Sequence, residues 1–479
     1  MFYYTSPISN FFNYIWYKQT YIIKDLNTPN DLIKHYILEG HLLDYNPSIY
    51  FNTKWYREKY NIDKNICPLE HFCNNNNKPS KINFLPNEKC DYFISSGNLL
   101  LNHGFIEIKN EFIPLNNQKK RINILLPAFS LSAGPMTAYI LASLLCDKQC
   151  NVRLISLYSN FDEKNTLNEL KKRINNFNNN IELDSLYTNN ILISYDDIFI
   201  TTAWWTVYPL KFILGYLNYK KFFWIIQENE LVIHSCNYEY ARALSCYNMD
   251  YISLINTSIL FDDLKSIKLG NFGKDDYINK NCICFEPSFD KNLFYYEPHD
   301  KNKIKISFYS RGANIAERNL YELCINLLKS AVDNNLIDEK FEIISFGDND
   351  TSNIDLGKNI LTKNVGFLNL DNYAKLIRST DILISFQLAP HPSYPPLEIS
   401  HCNGVCLHTN FGFKNSISMG RYTDKIILCD PDINDLIVGL NKCIDIVKNN
   451  NLNYQPKLLY SDWNISLNEC INKIIDLNN

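Results

Sequence analysis

Short apolar runs separated by helical lengths of mixed polarity dominate the chain from about residue 118 onward. Arg121–Pro127, Asn151–Tyr158, Asp196–Ala203, Lys221–Gln227 and Asp250–Thr257 are rich in Ile, Leu, Val and aromatic residues. Near-continuous apolar strands are buried on both faces, as in a parallel sheet. The turn Ser130–Pro135 leads into a predicted helix, Met136–Lys148. The pattern restarts after the strand Cys282–Glu286, with strand Lys305–Tyr309, helix Ala316–Val332, strand Phe341–Gly347 and helix Leu370–Ser379. Strands Asp381–Leu388 and Val405–Asn410 follow. Such alternation predicts an α/β protein with two doubly wound, Rossmann-like domains, 118–285 and 286–450, and a cleft between them. A small, mostly helical block (1–95), a linker (96–117) and a C-terminal helix within 451–479 complete the expected organisation.

The N-terminal block contains an imperfect repeat. Trp16-Tyr17 recurs as Trp55-Tyr56, 39 residues later, and Leu32-x-x-His35-Tyr36 recurs as Leu69-x-His71-Phe72. Two similar periods imply two copies of one helical unit stacked through its aromatics. The histidines lie beside aromatics, which favours a structural role over metal ligation.

Composition narrows the function classes. The 479 residues suit about three domains. A net charge of −4 gives no broad basic face, so no nucleic-acid partner is expected. The 15 cysteines are odd in number and lack repeated CxxC pairs, which favours reduced thiols and a cytoplasmic location. No signal peptide is read at the start. Ile122–Leu145 is long enough to span a membrane, but Pro127, Gly134 and Pro135 interrupt it, so strand, loop and helix are expected instead.

The most distinctive stretch is Ala389-Pro390-His391-Pro392-Ser393-Tyr394-Pro395-Pro396-Leu397-Glu398, between the strands Asp381–Leu388 and Val405–Asn410. Four prolines in seven residues make the loop stiff, and it is expected to end where Glu398 starts a short helix. A helix N-terminus at the carboxyl edge of a parallel sheet is an anion site. The string, with its following turn and the strand end Thr409-Asn410, resembles the donor-site loop of WsaF-type rhamnosyltransferases, retaining GT-B enzymes of glycosyltransferase family 4. Thr202-Ala203-Trp204-Trp205-Thr206 resembles their TxWWT segment. Gln227-Glu228-Asn229-Glu230 resembles their QDYE-like turn with its acidity shifted. Pro287–Phe294 is similar to the family hinge, and Phe308–Arg311 matches FYxR. The likeness covers roughly 120–450, and the N-terminal block is similar to aromatic-histidine repeats that accompany glycosyltransferase domains.

The resemblance implies a metal-independent transferase that moves a rhamnose-like deoxyhexose from a nucleotide diphosphate, dTDP above others, to a glycan or lipid-linked glycan acceptor. The nucleotide sugar is a substrate, and no cofactor is expected. Arg311 and Glu398 are the implied catalytic residues, Arg311 on the diphosphate and Glu398 on donor hydroxyls. His391, Ser393, Tyr394, Asn410, Lys414 and Lys363 join them as donor-side candidates. Gly134, Trp204, Trp205, Gln227 and Glu228 are candidates on the acceptor or sugar side. The C-terminal helix is expected to pack back on the first domain, and residues 1–95 are a candidate contact with the inner membrane face or a glycan-assembly complex.

Two departures stand out. Pro390 occupies the first of two positions where broader family members carry glutamates, as in this subgroup. Phe367, after Gly366, stands where relatives carry a phosphate-binding Lys. Asp348-Asn349-Asp350 and Asp430-Pro431-Asp432 have the D-x-D form of metal-binding motifs but read as polar turns. His401-Cys402 and Cys406-x-His408 carry metal-ligand residue types at a spacing that does not suit tetrahedral zinc. A non-catalytic scaffold and a nucleotide-sugar epimerase are the competing readings.

Overall fold

The computed structural model describes residues 8, 12–23, 25, 26, 28–48, 51–75, 110–211, 213–234, 236–298, 302–310, 317–347, 352–449 and 460–478. The chain divides into two compact units, Met1–Trp224 with Ile474–Asn479, and Ile225–Lys473.

In unit 1 the N-terminal helices form two pairs of the same construction. Tyr14–Thr20 and Thr53–Tyr60 are capped alike: Trp16 N donates to Asn13 Oδ1 at 3.0 Å and Trp55 N to Asn52 Oδ1 at 2.9 Å. Each helix is followed by a positive-φ residue, Ile22 at 51° and Asn61 at 49°. Each then gives way to a helix that opens on proline, Pro29–Leu38 and Pro68–Asn75. Tyr17 Oη is hydrogen-bonded to His35 Nδ1 at 2.9 Å, and Tyr56 Oη to His71 Nδ1 at 3.3 Å. The block's core, including Phe12, Tyr17, Leu32, Tyr36, Phe51, Tyr56, Leu69 and Phe72, is built from its own residues. Deleting residues 1–95 should therefore leave a soluble chain with a cooperative thermal transition; an insoluble product would show that the later domains need the block.

Four further strands of unit 1, β2 (Ile122–Leu126), β3 (Val152–Ser156), β4 (Glu182–Ser185) and β6 (Ile198–Thr201), form one parallel sheet with the first residues of β7 (Phe222–Ile226), a strand that runs past the end of the unit at Trp224; the order is β4-β3-β2-β6-β7. Ile122 lies opposite both Val152 and Ile198. Strand order reverses between β2 and β6. A separate parallel pair joins β1 (Phe112–Leu115) to β5 (Ile191–Ser194). Strand β1 corrects the expected linker: four buried residues are too short a run to stand out in the sequence. The Ile122–Leu145 run resolves into β2, a loop and the helix Ala133–Asp147. Among the described residues no helix is long and apolar enough to cross a membrane. Lys120 Nζ donates to Asn478 O, near the end of the helix Asn468–Asn478.

In unit 2, β8 (Tyr251–Asn256) pairs in parallel with β9 (Cys282–Phe285). A second sheet holds β10 (Ile304–Tyr309), β11 (Phe341–Phe346), β12 (Lys363–Asn364), β13 (Ile382–Ser385), β14 (Val405–Thr409) and β15 (Ile426–Cys429). Its order is β12-β11-β10-β13-β14-β15, with every pairing parallel. Ile382 and Ile384 of β13 pack into one core with the helices Tyr321–Asp333 and Ile433–Lys448. Leu383 points the other way, into a core with Leu370–Arg378 and Tyr394–His401. Both faces are covered, which is why these strands read as continuous apolar runs.

Two element boundaries differ from expectation. The helix expected to start near Glu398 starts at Tyr394, because Pro395 and Pro396 fill first-turn positions whose amides need no partner. The helix expected over Ala316–Val332 is Tyr321–Asp333, preceded by Leu320 at φ 50° and a short turn Glu317–Asn319.

Candidate active site

Strand order in the second sheet reverses between β10 and β13, so the loops leaving these two strands flank its switch point, where open α/β sheets bind ligands. The loop after β13 is the proline-rich stretch. Ser393 closes it at φ 64° and ψ 152°, a region that is nearly confined to glycine and costs about 1–3 kcal/mol. That turn lets Ser393 N donate to His391 Nδ1 at 3.0 Å, so the imidazole proton resides on Nε2. His391 Nε2 is buried and has no hydrogen-bond partner among the described residues. Burial, with Lys414 and Arg318 adding to it, pushes the imidazole down to about 3, so it is a neutral N–H donor.

Charge surrounds this donor. His391 N donates to Glu228 Oε1 at 3.4 Å, and Asn229 N donates to the same oxygen at 3.0 Å. Burial raises the Glu228 carboxyl, against the opposing pull of Arg318, the two amides and Lys414. Lys414 is wholly buried, and Nζ donates to Gln387 O at 2.8 Å. Burial pulls it down to about 7, although Glu228 acts in the other direction. A tight turn fixes this lysine: Phe411 and Lys414 exchange backbone hydrogen bonds of 3.1 and 2.9 Å across Gly412 at φ +53°. A Cβ on Gly412 would strike the Asp263 carboxylate, whose Oδ1 accepts from Phe413 N at 3.0 Å. Arg318 is tied to the loop through its carbonyl, which accepts from Leu388 N at 2.8 Å. Gln387 Oε1 and His408 Nε2 are buried here and, among the described residues, lack partners. One free donor and two free acceptors beside Arg318 and Lys414 suit a ligand with both hydroxyls and an anionic group.

Glu398 lies one turn into the helix Tyr394–His401, half-buried, and accepts a 2.5 Å hydrogen bond from Tyr373 Oη. Burial pushes its carboxyl up to about 7, with the tyrosine pulling in the opposite direction. Asn256 Nδ2 donates to Tyr394 Oη at 2.7 Å, and Asn410 Nδ2 to Asp430 Oδ1 at 3.0 Å.

Residues 304–441 match the family model described as the WsaF C-terminal domain. The fold is GT-B. Anabaena HepE, solved with UDP and glucose, has a TM-score of 0.51 at 13% identity, covering 75% of this chain and 98% of that one. Sucrose-phosphate synthase of Thermosynechococcus elongatus has a TM-score of 0.50 at 9% identity, covering 75% of this chain and all of that one. The O-antigen biosynthesis protein RfbC of Myxococcus xanthus is 26% identical over 254 residues, 52% of this chain. The chain spans only 18% of that relative's length.

Within this GT-B framework the sequence candidates fall into groups. His391, Glu228 and Lys414 share one buried cluster, with Ser393 holding the histidine. Tyr394 and Glu398 open the adjoining helix. Gln227 precedes Glu228 at the end of β7. Lys363 stays apart from them: it is exposed on β12, three strands from β13, about 14 Å across the sheet. Gly134, Trp204 and Trp205 belong to unit 1. They follow β2 and β6, the strands that flank the first sheet's own switch point. Trp204 is wholly buried and packs edge-on against Trp205, whose carbonyl accepts from Tyr158 Oη at 3.0 Å. Arg311, Asp348 and Asp350 lie outside the described residues. Phe367 is 67% exposed after Gly366 at φ +71°.

The decoy motifs have structural duties. Asp432 caps the helix Ile433–Lys448, and Cys402 and Cys406 are core residues. Among the described residues no three His, Cys, Asp or Glu side chains are grouped to hold a metal. Sequence reasoning missed Arg318, Gln387 and Tyr373. The helix expected over Ala316–Val332 hides Arg318 in its interior, and the signal that finds it is its place in the connection after β10, at the switch point.

Proposed function

We propose that this chain is a glycosyltransferase that moves a sugar from a nucleotide diphosphate to a glycan acceptor in surface-polysaccharide assembly. The observation that carries the reading is the buried Glu228–His391–Lys414 cluster with half-buried Arg318 beside it, set at the switch point of the sheet in the segment that matches the WsaF C-terminal domain. Cleaving the sugar–phosphate bond leaves negative charge on the diphosphate. Arg318 and the protonated form of Lys414 supply positive charge and the His391 imidazole a neutral N–H, where preorganised donors lower the barrier most. Glu398 binds donor hydroxyls from the start of its helix, and Arg311 joins the phosphate cations by its place after β10. A rhamnose-like sugar, a dTDP donor, retention of configuration and a lipid-linked acceptor at the inner membrane face belong to this proposal through the family likeness. In that mechanism the departing phosphate takes the acceptor proton from the same face, so no separate general base is assigned.

The test is a thermal-shift panel of nucleotide sugars, UDP- and dTDP-linked ones first, followed by transfer assays with and without EDTA. Stabilisation by a donor and transfer that survives EDTA are expected. Transfer lost in EDTA and restored by Mn²⁺ would overturn the metal-independent mechanism. Donor turnover without acceptor would favour an epimerase. Failure of every donor to bind would favour a scaffold, the reading to which Phe367 in place of a cation also points.

A further inference from the structure

We infer that Glu228 is a resident anion of the donor site, holding the loop amide and facing the cations that the donor's diphosphate takes over on binding. The inference rests on the glycosyltransferase reading and deepens it by reassigning a residue first placed on the acceptor side.

Four observations carry it. Glu228 Oε1 sits on the backbone amide of His391, inside the proline-rich loop, as a phosphate oxygen would. The groups that face it from every packed element are those a diphosphate needs: Arg318 ahead of β11, Lys414 after β14, and the amides of Asn229 and His391. Yet among the described residues neither cation pairs with it directly. Lys414 Nζ spends its one hydrogen bond on Gln387 O, leaving two of its three N–H donors unused. A structural carboxylate buried to 8% exposure is ordinarily paired outright, because an uncompensated buried charge is costly. Finally, burial has already raised the Glu228 carboxyl, so a second anion beside it neutralises it readily. The free site is thereby kept from a net excess of positive charge, and affinity for the donor is held below what the cations alone would give.

The experiment is calorimetric titration of the full chain with UDP and dTDP at pH 6.5. Glu228→Gln keeps the shape and the acceptor for His391 N while removing the charge. It should bind at least about tenfold more tightly than wild type, as expected when a like charge near the phosphate is removed. In a Lys414→Met background the same substitution should gain less than threefold, since the two groups act on one anion. Equal or weaker binding by Glu228→Gln, with an unchanged melting temperature, would overturn the inference while leaving the glycosyltransferase reading intact. If the Gln variant does not melt cooperatively, Glu228→Asp, which withdraws the carboxylate by one methylene, should still bind more tightly than wild type; weaker binding overturns the idea. No binding by wild type or either variant would overturn both readings together.

Discussion

Lys414→Met should weaken nucleoside diphosphate binding ten- to hundredfold at pH 6.5 while leaving the fold as stable as wild type or more so. A charge-assisted hydrogen bond contributes about 1.5–3 kcal/mol, and each ~1.4 kcal/mol is tenfold in affinity. The fold does not need the charge. Burial pulls the ammonium down to about 7 from an ordinary 10.5, so the folded state resists the protonated form. Methionine occupies similar space without that cost. The sign with pH follows. Between about 7 and 10.5 the unfolded chain holds a proton that the folded chain has released, so wild-type stability rises with pH across this window. Donor affinity moves the other way, falling as the cation is lost above about 7. The methionine variant should show neither slope. Calorimetric titration and denaturant unfolding at pH 6.5 and 9 decide the matter. Wild-type affinity that holds steady across pH 7 would place the lysine away from the phosphate.

Glu398→Gln should stabilise the chain by about 3 kcal/mol at pH 8 and cut transfer by two orders of magnitude or more. The carboxyl is raised from an ordinary 4.5 to about 7, and each pKa unit is worth ~1.4 kcal/mol. A raised carboxyl is bound to its proton more tightly in the folded state. Its contribution is fully present below 4.5, is lost as pH rises to about 7, and is flat beyond. Glutamine removes that loss and still accepts from Tyr373 Oη. Turnover falls because an amide cannot match a carboxylate on two vicinal hydroxyls; the estimate of about a hundredfold takes two charge-assisted bonds at roughly 1.5 kcal/mol each. Unfolding free energies at pH 4.5 and 8, with kcat/KM at pH 8, check both halves. A variant that transfers sugar like wild type would remove Glu398 from the donor site. Together the two groups place the site's least stable condition near pH 7, where one has lost its favourable proton and the other still bears its buried charge.

The layout of both sheets was legible because parallel strands covered on two faces leave runs such as Ile382–Ser385 and Val405–Thr409, which local pattern exposes directly. Strands β4, β5, β12 and β15 were not, since three of the four residues of Glu182–Ser185 are polar and runs of two to four residues give too little periodicity. The proline-rich loop and its Glu398 stood out by composition. The charge cluster around it did not, because Glu228, Arg318 and Lys414 come from three connections up to 186 residues apart, united only by strand order. Lys363 shows the reverse error. A lysine near a departed cation's position looks eligible in one dimension, and the sheet then holds it three strands away.

The Ser393–His391 hydrogen bond has a practical consequence. It ties one ring nitrogen to the loop and leaves the other buried and open, on an imidazole that does not protonate until about pH 3. Such a ring is a ready-made magnetic-resonance reporter. The nitrogen-15 signal of Nε2 should show no imidazole protonation step from pH 5 to 9, when most imidazoles titrate, and at a fixed pH should move when an occupant reaches it. With nine histidines in the chain, selective labelling gives a spectrum sparse enough to follow that single ring. Occupancy could then be read in a crude mixture of nucleotide sugars, before the transferred sugar or its acceptor is known.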